Sequence, residues 1–430
     1  MIDIFKYTGQ LPEKLKSRTQ INDDAVNSSV KAIIADVRKR GDKAVLEYTE
    51  KFDKVKVSDM RVSRQEIDEA IEKVDPKLMD AIERAIVNIT AFHEKQKRLS
   101  FMDYNGDITL GQLILPIENV GVYVPGGIAA YPSSVLMNII PAKVAGSKRI
   151  VMVTPPMSDG KVYPLTLAAA DLAGADEIYK VGGAQAVAAL AYGTESIAPV
   201  DKIVGPGNIF VANAKREVYG TVGIDMIAGP SEIMVVADES ADPDFIAADL
   251  LSQAEHGPNG AVCLAVLGMD VAEKCAKALD EQMAKLERSE IAKKVVADYG
   301  AIIVVDNYED AMECANLFAP EHLELCVNDP YALLPYVKHA GSIFLGHYSP
   351  EPLGDYFSGQ NHVLPTSGTA RFSSPLGVDD FIKRSSVVYY TKRALIEAAP
   401  YIEAFANAEG LGAHAESIAI RRRKAEEENK

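Results

Sequence analysis

The sequence predicts an α/β protein with parallel sheets covered by helices and helical segments at both ends. Three observations carry this. From about residue 109 onward, short β-rich runs alternate with Ala-rich helical runs. The chain has 430 residues, 48% of them hydrophobic, which is too long for one simple core and enough for two. Residues 1–100 and the stretch after Phe381 are charged and carry helical spacing.

Runs at 25–40 and 64–99 have helical spacing and few breakers. They read as a helical scaffold without chemistry, and His93 reads as a surface helical residue. Strands are expected at 149–153, 177–181, 202–204, 233–237, 261–267, 301–305, 323–327 and 342–345. Helices are expected between them at 165–172, 184–192, 209–219, 244–254, 308–317 and 331–339. There are enough units for two sheets. A last helix is expected at 392–407.

Composition excludes several classes of function. A net charge of −16 repels nucleic-acid phosphates and acidic membrane surfaces. The one basic cluster, Arg421-Arg422-Arg423-Lys424, is followed by Glu426-Glu427-Glu428 and reads as a solvated helix end. The four cysteines, Cys263, Cys275, Cys314 and Cys326, form no Cys-X-X-Cys pair. They read as small hydrophobes in a reducing compartment, with Cys326 on a strand. The first residues lack the pattern of a signal peptide, and no apolar stretch reaches membrane-spanning length. A cytoplasmic location is therefore expected, with no nucleic-acid or membrane partner.

The usual dinucleotide fingerprint Gly-X-Gly-X-X-Gly is absent. Two related turns stand in its place. Val181-Gly182-Gly183-Ala184-Gln185 and Val204-Gly205-Pro206-Gly207-Asn208 each follow a strand and open a helix. Glycines there let a backbone approach a ligand, and helix N-termini attract anions. Plain strand-to-helix turn geometry is the alternative. A third turn runs from Gly121 to Gly127, where Tyr123 either stacks on a ring or fills the core.

Polar clusters are the sharpest features. Gln253 and His256 lie three apart and share a helical face, in a helix ended by Gly257-Pro258. Glu321-His322 sits between Pro320 and a strand, where adjacent side chains point apart and suit two separate proton transfers. Asp355 and His362 lie in a polar, glycine-punctuated stretch, Gly354–His362. Alone, the first two read as polar surface, whereas Gly354–His362 resembles a site loop more than a surface loop. One Asp, two His and one Gln make a mixed N/O set suited to zinc or a similar divalent ion.

Taken together, these strings resemble the histidinol dehydrogenase family from about residue 20 to residue 420. The carriers are Gly121–Gly127, Val181–Leu190, Gly205–Val211, Ala228–Glu232, Leu250–Gly257, Pro320–Leu323, Gly354–Pro365 and Glu409–His414. Gly412 stands where a Thr is expected and Ser367 where a Gly is common. The resemblance implies two intertwined, incomplete Rossmann-like lobes and a homodimer with shared active sites. It divides the chain into an N-terminal segment (1–20), a first lobe (21–122 with 233–375), an NAD-contacting second lobe (123–232) and a helical tail (376–430) that reaches the partner subunit.

The resemblance also implies roles. Gln253, His256, Asp355 and His414 would bind one zinc ion per subunit. Glu321 and His322 would be catalytic. Tyr123, Gln185 and Asn208 would contact NAD. Ser231, Gln253, His256, His322, Asp355, His362, Glu409 and His414 would contact the substrate, L-histidinol. The implied reaction is a four-electron oxidation to L-histidine through bound L-histidinaldehyde, using two NAD, in the last steps of histidine biosynthesis. A sister dehydrogenase acting on another small polar alcohol, such as a sulfonated diol, is the alternative on the same scaffold. From other classes, a zinc hydrolase and a non-catalytic nucleotide-binding module remain open.

Overall fold

The structure, a computed structural model, describes residues 2–19, 24–126, 131–227 and 229–428. Gly127, which ends the third glycine turn, and Ala228, which opens the Ala-Gly-Pro-Ser-Glu string, lie outside the described residues. The chain forms two compact units, Met1–Gln96 with Ile117–Phe381, and Lys97–Pro116 with Ile382–Lys430.

The first unit holds two all-parallel sheets, as expected. In the six-stranded sheet the order is Asp3–Lys6, Gly300–Val305, Ala261–Leu267, Glu232–Ala237, His322–Cys326 and Ser342–Leu345. In the five-stranded sheet it is Glu177–Lys180, Arg149–Thr154, Asn119–Tyr123, Lys202–Val204 and Gly223–Ile224. The central strands are nearly continuous apolar runs because helices cover both faces. Ile233, Val235, Val262, Leu264 and Ile302 pack into one core, whereas Met234, Val236, Cys263, Ala265 and Ile303 pack into another on the opposite face. Each fully buried Val, Leu or Ile contributes about 1.5–3 kcal/mol, so the two cores dominate the stability of this lobe.

All four cysteines are buried. Burial raises every thiol, Cys275 to about 11 and Cys314 to about 12, so none is a ready nucleophile. Among the described residues, no helix is long and apolar enough to cross a membrane.

Several expectations need correction. The helix Asp24–Arg40 was grouped with the first lobe. Its stripe of Val26, Val30, Ile33 and Val37 packs instead into the core under the five-stranded sheet, against Val187 and Val211. The helices Arg64–Ile71 and Pro76–Glu94 likewise pack on Pro164–Ala173 and Pro132–Ala145 of that lobe. The strand Asn119–Tyr123 is central to the same sheet. An apolar stripe states that a helix is covered but not by which sheet. His93 is fully buried, not on the surface. Its Nδ1 lies 2.8 Å from the Ile89 carbonyl, and its Nε2 is 3.4 Å from Asn361 Nδ2, so it braces the residue before His362.

The helically patterned run 64–99 forms two helices, the second opened where Asp75 caps and Pro76 begins it, and ending at Glu94. The helix expected over 331–339 is reduced to Pro330–Leu333 and a 3-10 turn, because Pro335 interrupts it.

The second unit is not purely helical. Ile382–Tyr390, Ile108–Pro116 and Phe101–Asn105 form an antiparallel sheet in that order. The hairpin closes through Gly106-Asp107, with Gly106 at φ 58°. Helices Lys392–Ala408 and Gly412–Glu427 pack together, and Arg422 pairs with Glu403 at 3.0 Å. The basic cluster is thus a solvated helix face, as expected.

Ser367 has φ 55°, and its Oγ is buried without a hydrogen-bond partner. That is the physical reason a glycine is favoured there. Ser367→Gly should stabilise the protein by about 0.5–1 kcal/mol, the left-handed cost less the entropy of the new glycine. Denaturant midpoints check this, and an unchanged or lower midpoint contradicts it.

Candidate active site

The five-stranded sheet changes winding direction between Asn119–Tyr123 and Lys202–Val204. Ligands in open α/β sheets bind beyond the carboxyl ends of strands at such a point. Tyr123 ends one of these strands, and the Gly205–Asn208 turn follows the other. Gly205 has φ 112°, and a Cβ there would lie 2.1 Å from the Tyr123 carbonyl, so only glycine lets the two chains meet. Tyr123 is buried in the core, and its hydroxyl accepts the Gly183 N–H at 3.0 Å. Burial pushes this phenol up to about 12. Gln185 is buried with neither amide atom hydrogen-bonded. Asn208 caps Ile209–Val218 by accepting from Phe210 and Val211 N–H at 3.0 and 3.2 Å.

The six-stranded sheet behaves differently. Its switch lies between Glu232–Ala237 and His322–Cys326. The carboxyl end there is plugged by Asp238, which accepts from Tyr308 Oη at 2.7 Å, Asn328 N–H at 3.0 Å and Ser240 N–H at 2.9 Å. The candidate chemistry collects at the opposite, amino edge. Parallel pairing sets His322 beside Ile233. Glu232 N–H then donates to Glu321 Oε2 at 2.8 Å, while its carbonyl lies 3.0 Å from His322 Nδ1. The two side chains do not point apart, as the sequence pattern implied. They close on one residue, 3.6 Å from each other.

The carbonyl partner makes Nδ1 the protonated nitrogen of a neutral His322. Burial lowers the pKa of this imidazole and keeps it neutral. Its Nε2 is buried with no hydrogen-bond partner, 3.9 Å from Glu351 Oε1 and 4.0 Å from Asp355 Oδ1. Burial also pushes the Glu321 carboxyl well above its ordinary value, helped by the charges of Glu232, Asp355 and Glu351. Asp355 is pushed up to about 9 by burial and by neighbouring Glu351. His362 is lowered to about 4, mainly by burial, with His322 and His256 adding to it. Its Nδ1 lies 3.1 Å from the Asp355 carbonyl and its Nε2 3.4 Å from Ser134 Oγ.

Gln253 is buried with neither amide atom partnered. The helix carrying it ends at Ala254, as expected, and just beyond it His256 Nδ1 lies 2.9 Å from the Ser252 carbonyl. Ser231 is half-buried, and its carbonyl accepts from Ala261 N–H at 3.1 Å. Glu409 and His414 belong to the second unit. Glu409 is the C-cap of Lys392–Ala408, His414 lies in the first turn of Gly412–Glu427, and both are exposed.

Comparisons with known proteins identify the family. The histidinol dehydrogenase family profile matches residues 16–422. The chain is 56% identical over 408 residues to histidinol dehydrogenase of Bacillus cereus, covering 95% of each. It is 54% identical over 422 residues to that of Listeria monocytogenes, covering 98% of each. A crystal structure of histidinol dehydrogenase from Elizabethkingia anophelis superposes with a TM-score of 0.92 at 39% identity, covering 98% of both chains. The chain belongs to the histidinol dehydrogenase family. It is therefore an NAD-dependent oxidoreductase.

Members of this family require a cation and a nucleotide, and the residues fit both. Among the described residues, His322, Glu351 and Asp355 bring ligand atoms within 4.8 Å of one another. Buried carboxyls raised above their ordinary values are what a cation site looks like without its charge, and the Gln253 amide is likewise buried without a partner. The orphaned Gln185 amide beside the glycine turns fits a nucleotide in the same way. Sequence reasoning missed Glu351 and Glu232. Glu351 could have been found from its i,i+4 spacing to Asp355, which puts both carboxylates on one face of Glu351–Tyr356.

Without a cation, Asp355 keeps its proton to about 9 and Asp249 to about 6, against an ordinary 3.8 in the unfolded chain. The folded state then binds more protons than the unfolded one. This stabilisation is full below about pH 4 and is lost as pH rises through each folded value. The chelated enzyme should show a falling Tm between about pH 7 and pH 9, above the range in which the lowered imidazoles of His322 and His362 act in the opposite sense, and added zinc should flatten the fall. Thermal scans with and without chelator check this. A level or rising Tm in the chelated protein over that range contradicts it.

Proposed function

We propose that the enzyme oxidises L-histidinol to L-histidine in two steps through bound L-histidinaldehyde, the last steps of histidine biosynthesis. The observation that carries this is the Glu321–His322 pair on the Glu232 peptide. It supplies a carboxyl and a neutral imidazole with an unpartnered Nε2 facing the carboxyls. Two oxidations of one carbon need two kinds of proton transfer, and these groups supply them.

Gln253, His256, Asp355 and the partner subunit's His414 would hold one zinc ion per subunit, which when bound supplies positive charge and orients the substrate's imidazole and amine. Tyr123, Gln185 and Asn208 would contact NAD, which when bound accepts hydride at each oxidation. Ser231, His362 and Glu409 would hold the substrate together with the ligand residues. His322 Nε2 takes the alcohol proton as the first oxidation proceeds. Glu321 then takes a proton from water as it adds to the aldehyde, protonated His322 returns its proton to the aldehyde oxygen, and the neutral His322 so restored takes a hydroxyl proton of the resulting hydrate. Burial pushes the Glu321 carboxyl well above its ordinary value, and a bound cation would lower it toward a working base.

We read the active species as a cytoplasmic homodimer whose sites combine the first unit of one chain with the second unit of the other. Exposed aromatics on the second unit support a covering partner. Tyr401 and Phe405, four residues apart on one helix, are 74% and 77% exposed. Glu409 and His414 lie further along the same unit.

Two NADH should form per histidinol consumed, without free aldehyde. Glu321→Gln should slow aldehyde oxidation more than alcohol oxidation, by about 10²–10⁴-fold. Absorbance at saturating NAD and single-turnover kinetics on both substrates check this. One NADH per alcohol, or equal effects on both steps, contradicts it.

The shared site predicts complementation. His256→Ala and His414→Ala should each be dead alone. Mixed under conditions of subunit exchange, they should regain activity, since one site in each mixed dimer pairs two intact halves. Mixtures that stay inactive after mass spectrometry has confirmed exchange contradict the shared site.

A further inference from the structure

Arg18 lies in the 3-10 turn Ser17–Thr19, far in sequence from the catalytic candidates. Its side chain and that of Glu232 are 4% and 2% exposed, and its Nε donates to Glu232 Oε1 at 2.8 Å. Nη1 donates to the Leu15 carbonyl at 2.7 Å, and Nη2 donates to the Phe318 carbonyl. The guanidinium carbon sits 3.9 Å from the centre of the Phe318 ring. Every arm of the planar fork is thus engaged, a geometry that lysine cannot reproduce.

Both anchored residues connect directly to the catalytic pair. Glu232 supplies the N–H held by Glu321 and the carbonyl held by His322. Phe318 stands three residues before Glu321, at the end of Tyr308–Phe318, and the next residue, Ala319, is left-handed with φ 49°. Arg18 therefore ties the strand start that carries the gripping peptide to the turn that delivers the gripped side chains. A buried ion pair is a poor source of stability compared with apolar packing. Its selective value here is geometric.

We propose that Arg18 is a positioning residue for proton transfer, clamping Glu232 and the Phe318 carbonyl so that Glu321 and His322 keep their working geometry. This rests on the reading of Glu321 and His322 as the proton-transfer groups. Arg18 touches neither substrate nor cofactor. Its loss shows in turnover and not in substrate affinity, because none of the residues proposed to hold the metal or the substrate is bonded to it.

The test uses the full-length zinc-loaded enzyme, with thermal unfolding to confirm folding. Arg18→Met should lower kcat by about 10- to 100-fold with KM for histidinol within about twofold. Arg18→Lys should recover only part of the loss. In a Glu321→Gln background, adding Arg18→Met should slow aldehyde oxidation by a smaller factor than in the wild-type background, since of the two groups it places only His322 remains. An unchanged kcat in folded Arg18→Met, or an undiminished factor in the Glu321→Gln background, overturns the proposal. If Arg18→Met does not fold, Arg18→Lys carries the same comparison, and wild-type kcat there overturns it. A Glu321→Gln variant with full aldehyde oxidation marks a failure of the proton-transfer reading instead. The Arg18→Met factor is then taken in a His322→Asn background, where an undiminished factor overturns the clamp and a diminished one upholds it.

Discussion

The main-chain N–H and C=O of Glu232 each hold one of two neighbouring side chains, Glu321 and His322. These bonds form only because Glu232–Ala237 and His322–Cys326 are adjacent parallel strands in a fixed register. A shift of one residue would turn every side chain of the strand to the other face. The chemistry is therefore as well defined as the sheet. The sheet in turn is specified by two cores packed on its opposite faces.

The two lobes use their sheets in opposite ways. In the five-stranded lobe the glycine turns gather at the carboxyl ends of the switch-point strands. In the six-stranded lobe Asp238 and its donors fill that position, and the amino edge carries the polar cluster. His362 links the two, since its ring lies beside Asp355 on one side and Ser134 of the helix Pro132–Ala145 on the other. A substrate at His322 can thus be flanked by both lobes of one unit.

Carboxyls outnumber cations in this interior. Glu321, Glu324, Glu351 and Asp355 are buried or nearly so, and burial raises the first two and Asp355. Of the buried carboxyls near the site, Glu232 has an arginine, and Arg18 is committed to it. Such an arrangement is costly unless a charge from outside the chain balances it. Burial keeps His322 neutral although the charge of Glu351 acts the other way, and neutral is the state a general base needs.

Much of this was legible in the chain. Strands such as Ala261–Leu267, Lys202–Val204 and Ser342–Leu345 have apolar runs bounded by turn residues, and the sequence alone placed them. The glycine turns, Glu321-His322 and the Gly354–His362 stretch were recognisable as motifs because local backbone needs and reactive side chains are written in residue types. By itself the sequence determined the α/β class, most elements and the family. Only the tertiary structure decided which sheet each N-terminal helix covers, that residues 108–116 pair with 382–390, that His93 is buried, and that Arg18 reaches Glu232. Each of these joins segments that are distant in the chain. Periodicity reports that a face or charge will be covered, but the partner is selected by packing of the whole molecule.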